Sequence, residues 1–469
     1  MPRHPAKSAP RSRRSSRAQT PAAAPAKLLA KPKIITREEF ARRRRQLMRL
    51  MGRDAIAIIP AAPVRHRNND VEYAYRQDSD FQYLTGFGEP DSVAVLVPGR
   101  EQAQYVLFVR DRDPERETWD GRRAGTEGAT GQYGADDAFP ITDIDEILPG
   151  LMENRTRVFY AMGTHPEFDQ RVVGWLNGLR TQARHGKHPP QEFVTLDYVL
   201  HDMRLTKSRA ELEVMRESAR IASGAHIRAM QACRPGGSEF GIMAELMHEF
   251  RRHNADTSYE PIVGGGANSC ILHYRENSQP LKSGDLLLID AGCEYGYYAS
   301  DITRTFPVNG RFSAAQREVY DIVLAANEAA IRTVRPGASW NDPHEAAVHV
   351  VTQGLMKLGL LKGSVARLIK EGAYRRFFMH RTGHWLGMDV HDVGDYKLGD
   401  EWRILEPGMA LTIEPGIYIP AGLKGVPRRF DNIGIRIEDD VVVTRDGAEV
   451  LTAAAPKDPD VIEAVMAAA

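Results

Sequence analysis

Four acids in the second half of the chain close or line apolar strands. Leu286-Leu287-Leu288-Ile289 runs into Asp290 and then into Ala291-Gly292. Further on, Ser300-Asp301-Ile302-Thr303-Arg304-Thr305-Phe306 places Asp301, Thr303 and Thr305 on one strand face, with Ile302 and Phe306 on the other. Leu411-Thr412-Ile413 ends in Glu414-Pro415-Gly416. Asn432 to Asp439 alternates Ile433, Ile435 and Ile437 against Gly434, Arg436 and Glu438. A carboxylate at the end of a buried strand is costly unless its charge is compensated. Each acid alone reads as a strand end facing solvent, or as a partner for a nearby arginine. Converged on one point they repel, and some hold protons at neutral pH. Two divalent cations neutralise such a set in full. Bridging carboxylates hold a cation pair about 3.5–4 Å apart, the spacing of two-metal hydrolases.

An imidazole has several sources. His380, His384 and His391 fall between Phe378 and Asp392, while His273 stands alone in Ile271-Leu272-His273-Tyr274. A lone histidine is more often a hydrogen-bonded structural residue than a ligand, and spacing does not choose among the clustered three. Hard oxygen ligands with one imidazole favour manganese and tolerate cobalt or zinc. Gly264-Gly265-Gly266 is not followed by the Gly-Lys-Ser/Thr of a phosphate loop and reads as a turn. Cys233, Cys270 and Cys293 form no C-x-x-C pair, and an odd count suits buried thiols in a reducing compartment.

The elements that must position these groups follow from pattern. Thr36-Arg37-Glu38-Glu39 reads as a helix start, with the helix continuing to about Met51. Strands are expected at Ala55–Pro60, Ser92–Pro98, Ala103–Val109 and Arg157–Tyr160, and a helix at Glu167–Arg184. Apolar residues recur every three or four positions over Arg209–Cys233, which stops at Arg234-Pro235-Gly236-Gly237. Further helices are expected at Phe240–His253, Ala314–Val334 and Asn341–Leu358, with strands dominating Met409–Thr444. A chain of 469 residues accommodates about two domains. The alternation predicts an α/β N-terminal domain over 34–205 and an α+β catalytic domain over 206–469.

The formal charge is zero, from 62 basic and 62 acidic residues, but it is uneven. Residues 1–37 carry ten Lys or Arg and no acid. This confines any nucleic-acid role to the tail, and none is expected of the rest. Residues 1–33 read as a disordered basic tail; the alternative is a mitochondrial transit peptide, against which its prolines argue. No apolar run approaches the length of a membrane helix, so no membrane partner is expected.

Taken together, the motifs resemble aminopeptidase P, the Xaa-Pro aminopeptidase of the "pita-bread" (creatinase/aminopeptidase-like) metallopeptidase family. The resemblance runs from about residue 34 onward. In the second half it rests on His273-Tyr274, Ile289-Asp290-Ala291-Gly292, Asp301 to Phe306, His384-Trp385-Leu386-Gly387, Thr412 to Gly416 and Gly434 to Glu438. In the first half it rests on Tyr75 to Phe81, Thr85-Gly86-Phe87 and Trp119 within Arg112–Arg123. It implies five metal ligands: Asp290 terminal on one ion, Asp301 and Glu438 bridging, His384 and Glu414 completing the other.

It also implies that His273 and His391 are substrate histidines and that Arg436 is the buried arginine beside the last glutamate. His380 and Tyr418 are implied at the substrate pocket, and Trp119 as a residue closing a neighbouring subunit's site. The implied activity is release of the first residue from peptides with proline second, by a hydroxide held between two metal ions, with Glu414 as proton shuttle. The implied assembly is a homodimer or homotetramer, and the implied location the cytoplasm. Two other outcomes stay open: a prolidase of the same fold acting on Xaa-Pro dipeptides, and a non-catalytic binding member.

Overall fold

The computed structural model describes Met1 and residues 34–468. The basic-tail and transit-peptide expectations lie outside the described residues. The first described helix, Arg37–Met51, starts after Thr36 with Glu38 and Glu39 in its first turn, where acids complement the helix dipole. A six-stranded sheet follows. Its order is Asp137–Pro140, Tyr105–Val109, Val93–Leu96, Ala55–Pro60, Arg157–Phe159 and Glu192–Val194. The central strand Ala55–Pro60 is antiparallel to Val93–Leu96 and parallel to Arg157–Phe159. Both faces of such strands are covered, which is why they read as continuous apolar runs. Helices Ile144–Met152 and Pro166–Thr181 cover one face. On the other face the core continues into the second half of the chain, through Tyr298, Leu386, Met388 and Ala410.

Helix Arg209–Ala232 opens on a capping box, Ser208 with Glu211, and buries Ile221, Ala222, Ala225 and Ala229. Helix Glu239–Arg252 packs against it. Helices Ala314–Thr333 and Asp342–Lys357 pack together in the same core. All four arise where helical periodicity predicts them. The short helix Asp197–Leu205 has no counterpart in the expected elements. Gly264-Gly265-Gly266 is corrected: Gly264 and Gly265 end strand Ile262–Gly265, and Gly266 opens a 3-10 turn. Register with Leu288 and Leu287 holds those glycines in the ladder.

Strand pairing positions the acids. Leu286–Asp290 lies between Ile262–Gly265 and Thr303–Pro307, and Asp290 faces Thr303 across the antiparallel ladder. The link between the two aspartates is more than a turn. Cys293–Tyr295 and Tyr298–Ala299 form a hairpin that pairs instead with Asp256–Thr257. Gly292 allows this crossing, since a Cβ there would stand 1.7 Å from the Ser300 carbonyl oxygen. The two glutamates sit where two ladders meet. Ile413 pairs with Asp439 and Gly416 with Arg436, so Glu414-Pro415 and Ile437-Glu438 step out of the pairing between them. Pro415 has no N–H to continue the ladder. The freed Glu438 N–H donates to the Thr303 carbonyl at 3.1 Å, bringing this corner to the aspartate sheet. Among the described residues no helix is long and apolar enough to cross a membrane.

Candidate metal centre

The strand ends open on a cavity of about 320 Å³. Its wall includes Asp290, Asp301, His384, Glu414 and Glu438, together with His273, His380, His391 and Arg436. A larger groove of about 1300 Å³ runs past Arg42, Tyr198 and Arg403 and contains none of the candidate site residues. Ligand atoms of Asp301, His384 and Glu438 all lie within 4.8 Å of one another. The His384 Nε2 stands 3.3 Å from Asp301 and 4.0 Å from Glu414. The other ring nitrogen of His384, Nδ1, lies 2.9 Å from the Trp385 carbonyl. With Nδ1 turned to that carbonyl, Nε2 faces the carboxylates, the orientation a metal-binding imidazole needs.

The acids are held apart from water and from each other's charge only at a cost. Burial, and then the neighbouring Asp290, raise the Asp301 carboxyl above its usual range. Burial pushes Glu414 up to about 7, with Asp301 and Asp290 adding to the rise against His384 and Arg436. Burial, and then Asp301, Glu414 and Asp290, hold Glu438 well above the usual range. His384 is raised to about 9: its burial is outweighed by Asp301 and Glu414. One histidine and one nearby guanidinium do not neutralise this group. Cations of high charge density do, and an oxygen-rich set with one imidazole suits hard or borderline divalent ions. The residues present therefore fit a pair of divalent metals.

Further groups order the acids. The Arg436 guanidinium contacts Asp290, donates from Nη1 to the Tyr418 hydroxyl at 2.9 Å and from Nε to Thr303 at 3.0 Å. Thr303 in turn donates to Glu438 at 2.7 Å. The Tyr259 hydroxyl contacts both Asp290 and Asp301. Asp440, fully buried, accepts the Asp301 N–H at 3.1 and 3.2 Å. Sequence reasoning missed Tyr259 and Asp440. Tyr259 stands in an irregular segment without periodicity, and Asp440 is masked by the adjacent Asp439.

The structure brings together all the predicted residues but two. The His391 ring packs edge-on against His384, with centroids 4.3 Å apart. His380 reaches the Tyr418 hydroxyl at 2.9 Å, and burial with Arg436 nearby holds its imidazole down to about 4. His273 is exposed in the cavity wall. Tyr418 is behind that wall, 1% exposed, joining His380 to Arg436. Trp119 projects from helix Pro114–Asp120 at 88% exposure and does not line its own chain's cavity.

A carboxylate-rich dinuclear pocket at strand ends, behind an α/β N-terminal part, defines a metallopeptidase architecture. Residues 213–445 match metallopeptidase family M24, and residues 40–160 match the aminopeptidase P N-terminal domain. The Xaa-Pro aminopeptidase of Escherichia coli K12 is 48% identical over 437 residues, covering 93% of this chain and 99% of that protein. The solved structure of Pseudomonas aeruginosa aminopeptidase PepP superposes with a TM-score of 0.92 at 60% identity, covering 93% of this chain and 99% of the other. Zinc-substituted E. coli aminopeptidase P in complex with product superposes at 0.90 with 48% identity and the same coverage. The chain belongs to the Xaa-Pro aminopeptidases of family M24.

Proposed function

We propose that this chain removes the N-terminal residue from peptides whose second residue is proline. The observation that carries the reading is the buried set Asp290, Asp301, His384, Glu414 and Glu438 converging on one cavity wall. Its acids need compensating cations. Asp290, Asp301, His384, Glu414 and Glu438 would hold the two ions. Manganese is the proposed native metal, with cobalt or zinc as substitutes. Two bound divalent ions supply a water of lowered pKa and polarise the scissile carbonyl.

The chain's own groups do the rest. The bond before proline is a tertiary amide without an N–H. Its leaving nitrogen must therefore receive a proton from the protein side. Glu414, in the cavity wall, is placed to pass that proton through a carboxylate oxygen. His273 donates to the developing oxyanion, and His391 orients the substrate near the leaving nitrogen. Arg436 holds Asp290 in place through their direct contact. His380, tied to Tyr418, shapes the far wall. The free amine of the substrate lies by Asp290, which restricts cleavage to the first bond.

Residues 34–205 serve as the N-terminal domain and 206–469 as the catalytic domain. The exposed Trp119 supports a homodimer or homotetramer in which it reaches a neighbouring subunit's cavity. The proposed location is the cytoplasm.

An assay on a series of Xaa-Pro-Xaa tripeptides and Xaa-Pro dipeptides, with added manganese, tests this reading. Tripeptides are expected to be cleaved after the first residue. Cleavage of dipeptides alone would reassign the chain as a prolidase, and no cleavage at all would reject the peptidase reading. Glu414→Gln is expected to cut kcat by roughly 100-fold or more, since a positioned acid–base contributes about 10²–10⁴. Metal content measured on the same protein is expected to fall less than turnover. Metal loss matching the loss of rate would give Glu414 a purely ligating role.

A further inference from the structure

His391 stands on a short loop, residues 386–393, that leaves the metal site and runs under the N-terminal half. Its ring touches His384, and among the described residues no hydrogen bond holds the imidazole itself. The ring's place therefore depends on where the loop backbone is fixed. The backbone closes on itself, with the Asp392 N–H donating to the Trp385 carbonyl at 2.9 Å and the Gly387 N–H to the Asp389 carbonyl at 3.1 Å. Gly387 is needed in this tight loop, since a Cβ there would stand 2.1 Å from Asp392 Oδ2.

The two carboxylates that bracket His391 are then clamped by Ser79 and Arg204 of the N-terminal half and by Lys207 just past its end. Arg204 Nη2 donates to Asp389 at 2.8 Å and to Asp392 at 2.7 Å, while its Nη1 donates to Asp80 at 2.7 Å. Lys207 donates to the other oxygen of Asp392 at 2.9 Å. Ser79 donates to Asp389 at 2.6 Å, and Arg76 donates to the Met388 carbonyl at 2.9 Å. Arg76, Ser79, Arg204 and Lys207 all precede residue 213, where the M24 match begins. Arg204, Lys207 and Asp392 are buried. Buried ion pairs are a weak source of stability but fix geometry closely, and a planar guanidinium shared by three carboxylates does so best.

We infer that Arg204, supported by Arg76 and Lys207, is a positioning residue for His391, so that the N-terminal half sets where this substrate histidine stands in the active site. The inference rests on the proposed substrate role of His391. Displacing a group that orients substrate by an ångström is enough to cost about 10²-fold in rate. The clamp also explains why an exopeptidase of this fold keeps its N-terminal half in direct ionic contact with a loop of the catalytic half.

The test is a double-mutant cycle on full-length, metal-loaded protein, reading kcat, KM and bound metal with an Ala-Pro-Ala substrate. Arg204→Lys and Asp389→Asn are each expected to lower kcat/KM by roughly 10- to 100-fold with both metals retained. In a His391→Ala background the same substitutions are expected to change kcat/KM by less than about twofold, because coupled residues are not additive. Equal losses in both backgrounds would overturn the positioning role, as would a loss that tracks metal content, which would place the effect at His384. Should Arg204→Lys not fold, Asp389→Asn, whose side chain is 35% exposed, carries the cycle. Wild-type kcat/KM in His391→Ala alone would instead reject the role assigned to His391.

Discussion

Glu438→Ala is expected to purify folded, with most of its metal lost, and with kcat/KM lower by on the order of 10³-fold or more. The size follows from what the ions supply. Charge stabilisation by a bound metal is worth several kcal/mol in the transition state, and each 1.36 kcal/mol is a factor of ten. Glu438 is the acid nearest the centre of the cluster in electrostatic terms: Asp301, Glu414 and Asp290 all raise it. It also sits among the three residues whose ligand atoms lie within 4.8 Å. Removing it takes one charge from each ion's neighbourhood if it bridges. The fold is expected to survive. Alanine removes a repulsive buried charge, and the Thr303 hydroxyl that Glu438 accepts from also receives the Arg436 Nε. Metal analysis, circular dichroism and the peptidase assay on one preparation separate the outcomes. A folded Glu438→Ala enzyme with full activity in metal-free buffer would sink the dinuclear assignment. Asp290→Ala is expected to behave alike, but with a further loss of fold stability, because it leaves the Arg436 guanidinium buried without its carboxylate.

The positions of these acids were legible because each interrupts a pattern. Asp290 and Glu414 end largely apolar runs, and alternation sets Glu438 in phase with Arg436 against three isoleucines, although the strand itself stops at Arg436. Period-two alternation is a local property, so a short window carries it. The identity of the metal histidine was not legible in that way. His380, His384 and His391 lie on irregular backbone, where no period assigns a face. Their rings meet different groups: the Trp385 carbonyl, Asp301 and Glu414 for His384; the Arg381 carbonyl, Tyr418 and, at 3.8 Å, Glu414 for His380; and the His384 ring for His391. It is the resemblance to aminopeptidase P that implies His384 as the metal ligand among the three. The bounds of the long helices agree within a residue or two, since summed propensity and capping act together over many positions, except that the helix expected to reach Arg184 ends at Thr181. Asp197–Leu205 was missed because nine residues give too short a window. Its importance was missed with it. Arg204 meets Asp392 across 188 positions of sequence, and nothing local to either residue announces a partner that far away.

Stripping the metals is expected to make stability depend steeply on pH, in a direction fixed by the site. In the metal-free fold Asp301, Glu414 and Glu438 all bind protons more tightly than ordinary carboxyls. Their unfolded counterparts titrate near 3.8 for Asp and 4.5 for Glu. Between those values and the raised native ones, the folded chain holds more protons than the unfolded chain. Stability then falls as pH rises. For Glu414 the window runs from 4.5 to about 7. His384 acts in the same sense. Its raised value means its contribution is full below 6.5 and is lost as pH passes about 9. The carboxyl and the imidazole thus both favour the metal-free fold at low pH. Each pKa unit is about 1.4 kcal/mol, so Glu414 alone accounts for a loss on the order of 3 kcal/mol across its window.

Bound cations reverse the preference, because they take the deprotonated forms of all these groups. Metal binding should therefore release protons and tighten as pH rises. Thermal unfolding of chelator-treated protein from pH 6.5 to 8.5 is expected to show a Tm that falls by a few degrees, at about 1 °C per kcal/mol for a chain of this length. The metal-loaded protein is expected to show a much flatter profile over the same range. Calorimetric titration with manganese in buffers of different ionisation enthalpy is expected to show net proton release near pH 7. A metal-free Tm that rises between pH 6.5 and 8.5, above the range in which the lowered His226, His344 and His380 favour the fold as pH rises, would contradict the raised carboxyls, and with them the physical reason for placing two cations among Asp290, Asp301, His384, Glu414 and Glu438.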